Sequence, residues 1–548
     1  MKVIPGPVSG ISTMFVKDWR NHKTLIVNVC FAVILLVLTT LVVVAFYLNH
    51  PQPEPLADSW SYLYVADRIL RYHQVANFWR LPGYPLFIVC VYKLTEDGNL
   101  GAVSAAQAIL FVLATLEIYV LALLVLRRAW MALLISLLVG TNLVLLAYVK
   151  PVMSEALALW LLVSLALSVI IFLRTLHISM LWVVALFTLL LFMTRPEWIY
   201  LPVPLSACLL LVAFGRKALR RLLPHVLASL LLLYAVLGGY VYINATQNHF
   251  VGVTWIENIN ELGKVLQYNM QDEAPPQYAW ISRTLDSFTT KGNRDPYTIL
   301  AAEPELGRND AALAGAFART IILHHPGEFL VRSVPVFFSS PTVFHDESRV
   351  APNGPFGSVL TYLYSQYEAL YECNFLFPLC AAAWLLLLCW RWTRKQPIVQ
   401  AMAVVIFLIL YGLIIISLGA YRTFDYMRIY TLIDPLMILV IWGTFLVAAK
   451  LIVEHGPHIL VSMNGRYLHR QQLNNSTAML FVAAICATGQ LAFIVYLFYV
   501  PGLSSLIGSI FLFGTSAASL LRYLRMYVYA EGDRKGLPES ESKQNGPA

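Results

Sequence analysis

Residues 58–85 combine a carboxylate, an amphipathic segment and a rigid turn, a combination that could support chemistry on a polar substrate. Asp58 opens the segment, and Arg80 precedes the turn Leu81-Pro-Gly-Tyr-Pro85. A carboxylate beside a hydroxyl group can remove its proton as the hydroxyl attacks an electrophilic carbon. Asp is also favoured just before a helix, where its side chain caps the backbone. The segment by itself leaves a catalytic base and a helix cap equally open for Asp58.

Other charged residues stand at the ends of apolar runs. Glu155 follows Lys150-Pro-Val-Met-Ser154, and Arg195 and Glu197 separate two further runs. Glu at a helix N-terminus is stabilised by the helix dipole, so Ser154 and Glu155 suit a cap as well as a functional role. An Arg can bind phosphate through paired N–H groups, but beside Trp198 it also suits a membrane-interface anchor. Both interpretations stay open.

A late segment adds four candidates before Asp434-Pro435. They are Arg422, Asp425, Arg428 and Tyr430. Arg428 is the better candidate for holding a phosphate, although an Arg at a helix end often simply extends toward water. Glu117, by contrast, lies within an apolar run. Burying an acid in a membrane is costly, so Glu117 is expected to be protonated or paired inside the protein rather than catalytic.

The elements that must position these residues are apolar along the whole chain. Of 548 residues, 59% are hydrophobic and 12% are charged, and the mean hydropathy is +0.68. Soluble domains carry about 25% charged residues. Apolar runs of about 20 residues, enough to cross a bilayer as a helix, recur throughout. The predicted fold class is therefore an all-α polytopic membrane protein. The net charge of +8 implies no nucleic acid, because the basic residues lie in short loops between the runs.

About twelve membrane-spanning helices are predicted. Their approximate ranges are 24–48, 103–126, 130–149, 154–173, 178–193, 198–214, 222–245, 372–390, 399–418, 430–453, 477–499 and 502–521. Basic residues cluster after alternate spans, on the side that the positive-inside rule assigns to the cytoplasm. Both termini are thus predicted to be cytoplasmic in a plasma-membrane protein. All the candidate residues except Glu117 then lie on the outer, periplasmic or extracellular, face.

Residues 59–72 have the periodicity of an amphipathic helix, with Tyr62, Val65, Ile69 and Tyr72 on one face. Such a helix is expected to lie on the membrane surface. The apolar run 84–94 is too short to cross about 30 Å of hydrocarbon and is expected to be half-buried or interfacial.

The sequence divides into four segments. Residues 246–360 are polar, mix both charges with aromatic residues, and are expected to form a folded cap on the outer face. The segments are an N-terminal membrane module at 1–245 with its first outer loop at 49–102, the cap at 246–360, a C-terminal membrane module at 361–530 and a disordered cytoplasmic tail at 531–548. The seven cysteines form no CxxC pair, which argues against a disulfide framework or a zinc site.

The motifs together resemble those of GT-C-type glycosyltransferases, membrane enzymes related to protein mannosyltransferases and lipid A aminoarabinose transferases. The first outer loop of that family has an early Asp, an amphipathic helix and Arg-x-Pro-x-Tyr-Pro. The matching residues are Asp58, Tyr62, Ala66, Arg80, Pro82, Gly83, Tyr84 and Pro85. Pro151-x-x-Ser-Glu155, the loop 194–198 and the Arg428-x-Tyr430 motif follow in the family's order. Gly83 replaces the Pro or Leu often found there, and no second acid adjoins Asp58.

The resemblance implies an inverting cell-envelope enzyme. It would move a sugar from a polyprenyl-phosphate donor, held among membrane lipids, to a hydroxyl on a lipid, glycan or protein acceptor. Asp58 would be the catalytic residue. Substrate binding would involve Arg80, Tyr84, Glu155, Arg195, Glu197, Arg422, Asp425, Arg428 and Tyr430. No metal-binding residue is assigned, because the strict double-acid motif is missing, but use of a divalent metal stays open.

Two other classes of function stay open. A lipid or glycolipid transporter (flippase) would be expected to carry ionisable groups near the bilayer centre and paired broken helices. The sequence gives no clear sign of either. A non-catalytic relative would bind a glycolipid without turnover.

Overall fold

The computed structural model describes residues 22–53, 55–56, 58–342, 351, 353–390, 393–421 and 423–464. Within these ranges the regular secondary structure is entirely helical. The α-helices, in chain order, are α1 (His22–Asn49), α2 (Ser59–Tyr72), α3 (Gly83–Leu94), α4 (Leu100–Leu126), α5 (Ala129–Gly140), α6 (Leu143–Val149), α7 (Glu155–Thr175), α8 (Ile178–Thr194), α9 (Pro202–Gly215), α10 (Leu219–Asn248), α11 (Ile256–Gln267), α12 (Ala279–Thr289), α13 (Pro296–Ala302), α14 (Pro304–His324), α15 (Pro326–Ser339), α16 (Gly357–Glu372), α17 (Phe377–Cys389), α18 (Pro397–Gly419) and α19 (Thr423–Asn464).

The described residues contain eight helical segments long and apolar enough to cross a membrane, or nine if one bent pair counts as a span. They are Leu25–Asn49, Leu100–Leu126, Glu155–Thr175, Pro196–Gly215, Leu219–Asn248, Gly357–Cys389, Pro397–Gly419 and Tyr426–Lys450. This supports a polytopic helical membrane protein. The predicted spans 477–499 and 502–521 lie outside the described residues. The predicted span 178–193 corresponds to α8, a shorter apolar helix.

The predicted continuous span 130–149 is wrong in one respect. It is divided into α5 and α6, which are bent by 52°. Asn142 makes the break, because its side chain accepts hydrogen bonds from Val144 N (3.0 Å) and Leu145 N (3.3 Å) and so caps a new helix. Hydropathy does not reveal this break, since it involves two polar residues within an otherwise apolar run.

Among the described residues, 22–443 belong to one compact unit and 444–464 belong to a second. In the first unit α7 is the most enclosed span, with 83% of its apolar window buried, whereas the corresponding value for α1 and α10 is 22%. Apolar side chains exposed on the outside of α1 and α10 suit contact with lipid. Helix α7 begins at Glu155, so the most enclosed span positions this acidic side chain.

The described residues between α10 and α16 are mostly helical. Helix α11 packs against α14, and Arg319 of α14 binds both carboxylate oxygens of Glu261 at 3.1 and 2.8 Å. Trp255 N donates to Phe78 O at 3.0 Å, which connects the cap to the first loop. The division into modules at residues 245 and 360 stays a prediction.

Helix α2 has the bounds predicted for the amphipathic segment. Tyr62, Val65 and Ile69 are buried, and the helix packs against α3. Tyr72 differs from the prediction: it is 59% exposed, and its ring lies under the Arg68 guanidinium at 4.7 Å. The apolar face is therefore turned toward the protein. Placement of α2 and α3 at the membrane surface stays a prediction.

Candidate active site

Asp58 binds two arginines that are far apart in the sequence. Arg80 Nη2 lies 2.9 Å from Asp58 Oδ1, and Arg428 Nη1 lies 2.5 Å from Asp58 Oδ2. Each carboxylate oxygen thus has its own guanidinium partner. A carboxylate that follows the first span therefore meets a side chain contributed 370 positions later.

Three further residues extend this contact inward. Arg428 Nε donates to Glu155 Oε1 at 2.7 Å, and Arg195 Nη1 lies 3.1 Å from the same oxygen. Arg195 also binds Glu197 Oε1, through Nη2 at 2.6 Å and Nε at 2.8 Å. The six side chains form one alternating chain of acids and bases. We call them the six-residue network: Arg80, Asp58, Arg428, Glu155, Arg195 and Glu197.

Each member of the network lies at or near the end of a helix. Asp58 and Arg80 flank the loop-and-helix segment that contains α2, and Glu155 is the first residue of α7. Arg195 directly follows α8, and Arg428 lies in the second turn of α19. Helix ends can supply charged side chains without placing them deep in an apolar core, so this arrangement follows from the apolar sequence of the spans.

Gly83 brings two of these ends together. A Cβ atom at Gly83 would lie 2.6 Å from the Met193 carbonyl oxygen and 2.6 Å from Thr194 Oγ1. No side chain fits there, so the start of α3 approaches the end of α8 directly. Arg80 and Arg195 are thereby held on either side of this close contact. Gly83, at the position where the GT-C motif that it resembles often has Pro or Leu, thus has a local steric reason.

Tyrosines and hydroxyls support Arg80. Its guanidinium lies 4.5 Å from the centre of the Tyr62 ring, and its Nε donates to Ser61 Oγ at 2.7 Å. Tyr62 shares a hydrogen bond of 3.0 Å with Ser154 and packs edge-on against Tyr84 at 5.0 Å. These contacts limit the rotation of Arg80 and fix its distance from Asp58.

Beneath Tyr62, Tyr84 is fully buried and its hydroxyl donates to Gln107 Oε1 at 2.7 Å. Gln107 Nε2 in turn donates to Pro151 O at 2.7 Å. The polar Gln within α4 thus anchors the turn that leads to Glu155. Gln107 was not predicted from the sequence. The available signal was a polar side chain within an apolar run, together with Pro151 in the turn that it contacts.

The network is electrically balanced, because its three guanidinium groups match its three carboxylates. The side chains of Glu155, Arg195 and Arg428 are 2%, 8% and 8% exposed, whereas that of Asp58 is 31% exposed. Burial alone would raise the pKa of Asp58, but Arg80 and Arg428 outweigh it and lower the pKa to about 2. Asp58 is therefore ionised and is the most exposed member of the network.

The network suits an anion better than a metal ion. Asp58 and Glu155, whose carboxylates would be the ligands, already lie within ion-pair distance of three guanidinium groups. Fixed positive charges repel a divalent cation and attract phosphate. Elsewhere among the described residues, Glu273, His325 and Glu328 lie close enough to hold a metal ion. Arg332 pairs with both of those glutamates, so its guanidinium already compensates their negative charge.

The side-chain contacts bear on the structural alternatives for these residues, whose roles at the site stay predictions. The side chain of Asp58 makes no capping hydrogen bond to α2, nor does that of Ser154 to α7. Glu155 is the first residue of α7, and its carboxylate also binds Arg195 and Arg428. Arg195 and Arg428 are 6% and 7% exposed, so they are neither an interfacial anchor nor a water-facing end group.

Not every predicted substrate-binding residue joins the network. Tyr84 lies under Tyr62, and the fully buried Tyr430 turns away to contact Asp434 Oδ1 (3.3 Å) and Asn374 Nδ2 (2.7 Å). Arg422 lies outside the described residues, as does the side chain of Asp425. Their predicted roles stay predictions.

A buried polar cluster around Asp434, within the spans, was also not predicted from the sequence. Tyr371 and Asn142 donate to Asp434 Oδ2 at 2.6 and 3.3 Å. An acid within an apolar helix was the signal for it. Glu117 is paired as expected, since Trp160 Nε1 and Ser164 Oγ donate to its two oxygens at 3.0 and 2.6 Å.

No protein-family model and no curated protein matches the sequence. Among solved structures, the fold is similar to archaeal oligosaccharyltransferase AglB from Archaeoglobus fulgidus in complex with an inhibitory peptide and a dolichol-phosphate, with 12% identity, a TM-score of 0.42 and 84% of this chain covered. The apo form of the Archaeoglobus fulgidus oligosaccharyltransferase is similar at 12% identity, a TM-score of 0.40 and 83% coverage of this chain.

This chain spans 55% and 56% of the length of the two archaeal chains. A TM-score near 0.4 describes a loose superposition, and the function proposed below rests on the site itself.

Proposed function

We propose that the protein is a GT-C-type membrane glycosyltransferase that moves a sugar from a polyprenyl-phosphate donor to a hydroxyl acceptor at the outer membrane face. One observation carries the proposal. An accessible, ionised carboxylate lies within 2.9 Å of two guanidinium groups, in a network whose other side chains are at most 15% exposed. A carboxylate and two guanidinium groups are the base and the phosphate ligands that the transfer requires.

In the proposed step the acceptor oxygen forms a bond to the anomeric carbon of the sugar. The bond from that carbon to the phosphate oxygen breaks, and its electron pair stays on the departing polyprenyl phosphate. The acceptor proton passes to Asp58. Attack on the face opposite the phosphate inverts the anomeric configuration. Arg428 and Arg80 stabilise the negative charge that develops on the leaving group.

The pairing of Asp58 with both arginines explains how donor binding prepares the base. A carboxyl with a pKa of about 2 accepts a proton poorly at neutral pH. A phosphate that binds Arg428 and Arg80 shares their positive charge and adds a negative one. Both changes raise the pKa of Asp58. The base therefore becomes stronger when the donor is in place, which limits futile protonation of the empty site.

The experiment replaces Asp58 by Asn in the full-length protein. Transfer of labelled sugar from polyprenyl-phosphate donors to acceptors in membranes that lack the native protein should fall by about 10²- to 10⁴-fold, the usual contribution of a general base. Asp67→Asn is the matched control, because Asp67 is a half-exposed acid on α2 whose carboxylate pairs with Arg71, outside the network. Full activity of Asp58→Asn would contradict the proposal.

Transport is the competing function. The bend between α5 and α6 is a feature that transporters use in pairs, whereas the network lies at helix ends. Purified protein in vesicles distinguishes the two, because a flippase moves the lipid donor across the bilayer without forming a new glycosidic bond. Such movement, without transfer, would favour transport.

A further inference from the structure

A polar cavity lies between the cap and Tyr421, and its lining contains no residue of the six-residue network. Its volume is about 380 Å³, within the range of about 300–1,000 Å³ that is typical of small-molecule sites. We call it the cap cavity. Its lining includes Gly263, Gln267, Asn293, Arg294, Asp295 and Tyr421.

Its walls are held in place by close packing. Gly263 of α11 lies against the ring of Tyr421, where an added Cβ would come within 2.7 Å of ring atom Cδ1. On the other side, the turn before α13 is fixed because Asp295 N donates to Asn293 Oδ1 at 3.0 Å and Asn293 N donates to Phe288 O at 3.0 Å. Gly292 has φ +81, which favours glycine in this turn.

Several polar groups of the cap cavity are available to a ligand. Within the described part of the chain, the guanidinium of exposed Arg294 makes no hydrogen bond or ion pair, and the Asn293 side-chain nitrogen makes none either. Gln267 donates to the Tyr426 hydroxyl, while its Oε1 has no partner among the same residues. The cavity thus offers donors and an acceptor beside an aromatic ring.

Charge favours a neutral ligand. Arg294 and Asp295 carry opposite charges next to each other. Lys264, one turn before Gln267 on α11, is 1% exposed and donates to the Tyr268 hydroxyl at 3.1 Å. Burial lowers the pKa of Lys264 to about 7, so it does not supply a constant positive charge. Among the described residues that line the cavity, Arg294 is the one basic side chain, whereas a strongly anionic ligand is usually held by several cations.

We propose that the cap cavity binds a neutral saccharide, through Arg294, Asn293 and Gln267 with the Tyr421 ring alongside. A hydroxyl-rich ring matches a cavity of planar amide and guanidinium groups better than a lipid tail does. Tyr421 of the cavity precedes α19, and Arg428 of the network lies five residues after the first residue of that helix, a rise of about 7.5 Å, so a short stretch of chain connects the cavity to the network. On the basis of the proposed transfer reaction, the bound sugar is a non-reacting ring of the acceptor.

Binding is tested with full-length protein by saturation-transfer NMR. The probes are methyl glycosides of glucose, galactose, mannose and N-acetylglucosamine. At least one should bind, and Arg294→Ala should weaken that binding by at least tenfold. Arg283→Ala is the matched control, since Arg283 is also exposed in the cap and its Nε donates only to Ala279 O, one turn away. The thermal midpoints of both variants should equal that of the wild type.

Three outcomes would overturn the inference. These are no binding of any probe, equal binding by wild type and Arg294→Ala, or an Arg294-dependent signal given by a short peptide or by glucuronate in place of the neutral sugars. Asp58→Asn separates this test from the proposed function. That variant should bind the probe normally and fail in transfer; if it transferred sugar normally, the proposed function would fail while the cap cavity would stand.

Discussion

Arg428 divides one guanidinium between two carboxylates. Its Nε donates to Glu155 and its Nη1 to Asp58, at 2.7 and 2.5 Å. A planar guanidinium can hold both bonds at a fixed angle, whereas the ammonium of Lys is a single point charge on a flexible stem. Arg428 therefore joins the buried half of the network to its accessible half.

Arg428→Lys should keep the charge and lose this geometry. One charge-assisted hydrogen bond is worth about 1.5–3 kcal/mol, so the KM for a polyprenyl-phosphate-sugar donor should rise roughly 10- to 100-fold. Arg68→Lys is the control, because Arg68 lies on α2 and binds Gln74 outside the network. Unchanged donor kinetics in Arg428→Lys would show that the guanidinium does not hold the phosphate.

The pH dependence should differ between the free and the donor-bound enzyme. Without donor, Asp58 has a pKa of about 2, below its usual 3.8, so it stays ionised across the acid range. Donor phosphate raises that pKa, so the acid limb of kcat should lie at higher pH than that of kcat/KM. Coincident limbs in steady-state profiles would contradict donor-dependent activation of the base.

The same pKa shift predicts a change in stability. Because the folded-state pKa is the lower one, Asp58 stabilises the fold above pH 3.8, and this contribution disappears as the pH falls toward about 2. Thermal unfolding of the wild type and Asp58→Asn should therefore converge as the pH is lowered through this window. A difference that stays constant from pH 5 to 2 would argue against the ion pairs.

Among the elements, the contact of α3 with α8 sets the position of the site. Gly83→Ala would place a Cβ 2.6 Å from the Met193 carbonyl, and overpacking of this kind costs about 1–3 kcal/mol. The thermal midpoint and the transfer rate should both fall, because Arg80 and Arg195 move with these helix ends. Gly101→Ala is the control, since its Cβ meets nothing closer than Asn99 Oδ1 at 3.4 Å. Equal stability of the two variants would refute this role of Gly83.

Sequence periodicity predicted some elements well and others poorly. The bounds of α2 follow from its repeat of Tyr62, Val65 and Ile69, a local signal. The break at Asn142 does not, because a helix cap within an apolar run barely changes its hydropathy. The pairing of Asp58 with Arg428 could not be predicted from local sequence either. A capping role can be judged from neighbouring residues, whereas Arg428 lies 370 positions away. The shared side of the membrane, inferred from the basic loops, and the resemblance to GT-C enzymes suggested that these residues could meet.

At the scale of the whole molecule, the orientation in the membrane decides which leaflet could deliver a donor to Asp58. The 30-residue helix α10 extends about 45 Å. It separates the basic turn that contains Arg216 and Lys217 from the cap. Positive residues favour the cytoplasm, so the turn should face the cytosol and the cap should face outward. The loop of Asp58 then faces outward with the cap, because Trp255 of the cap donates to Phe78 of that loop.

Cysteine labelling in intact cells tests this orientation. In a variant whose seven native cysteines are replaced, Lys291→Cys in the cap should react with a membrane-impermeant maleimide. Lys217→Cys, also exposed, should react only after the cells are permeabilised. Both positions are lysines on exposed turns, so differences in local access are small, and the cysteine-free parent should retain transfer activity. The reverse labelling would place Asp58 on the cytosolic side. An outer-leaflet donor could not reach it there, and the proposed transfer reaction would have to be abandoned.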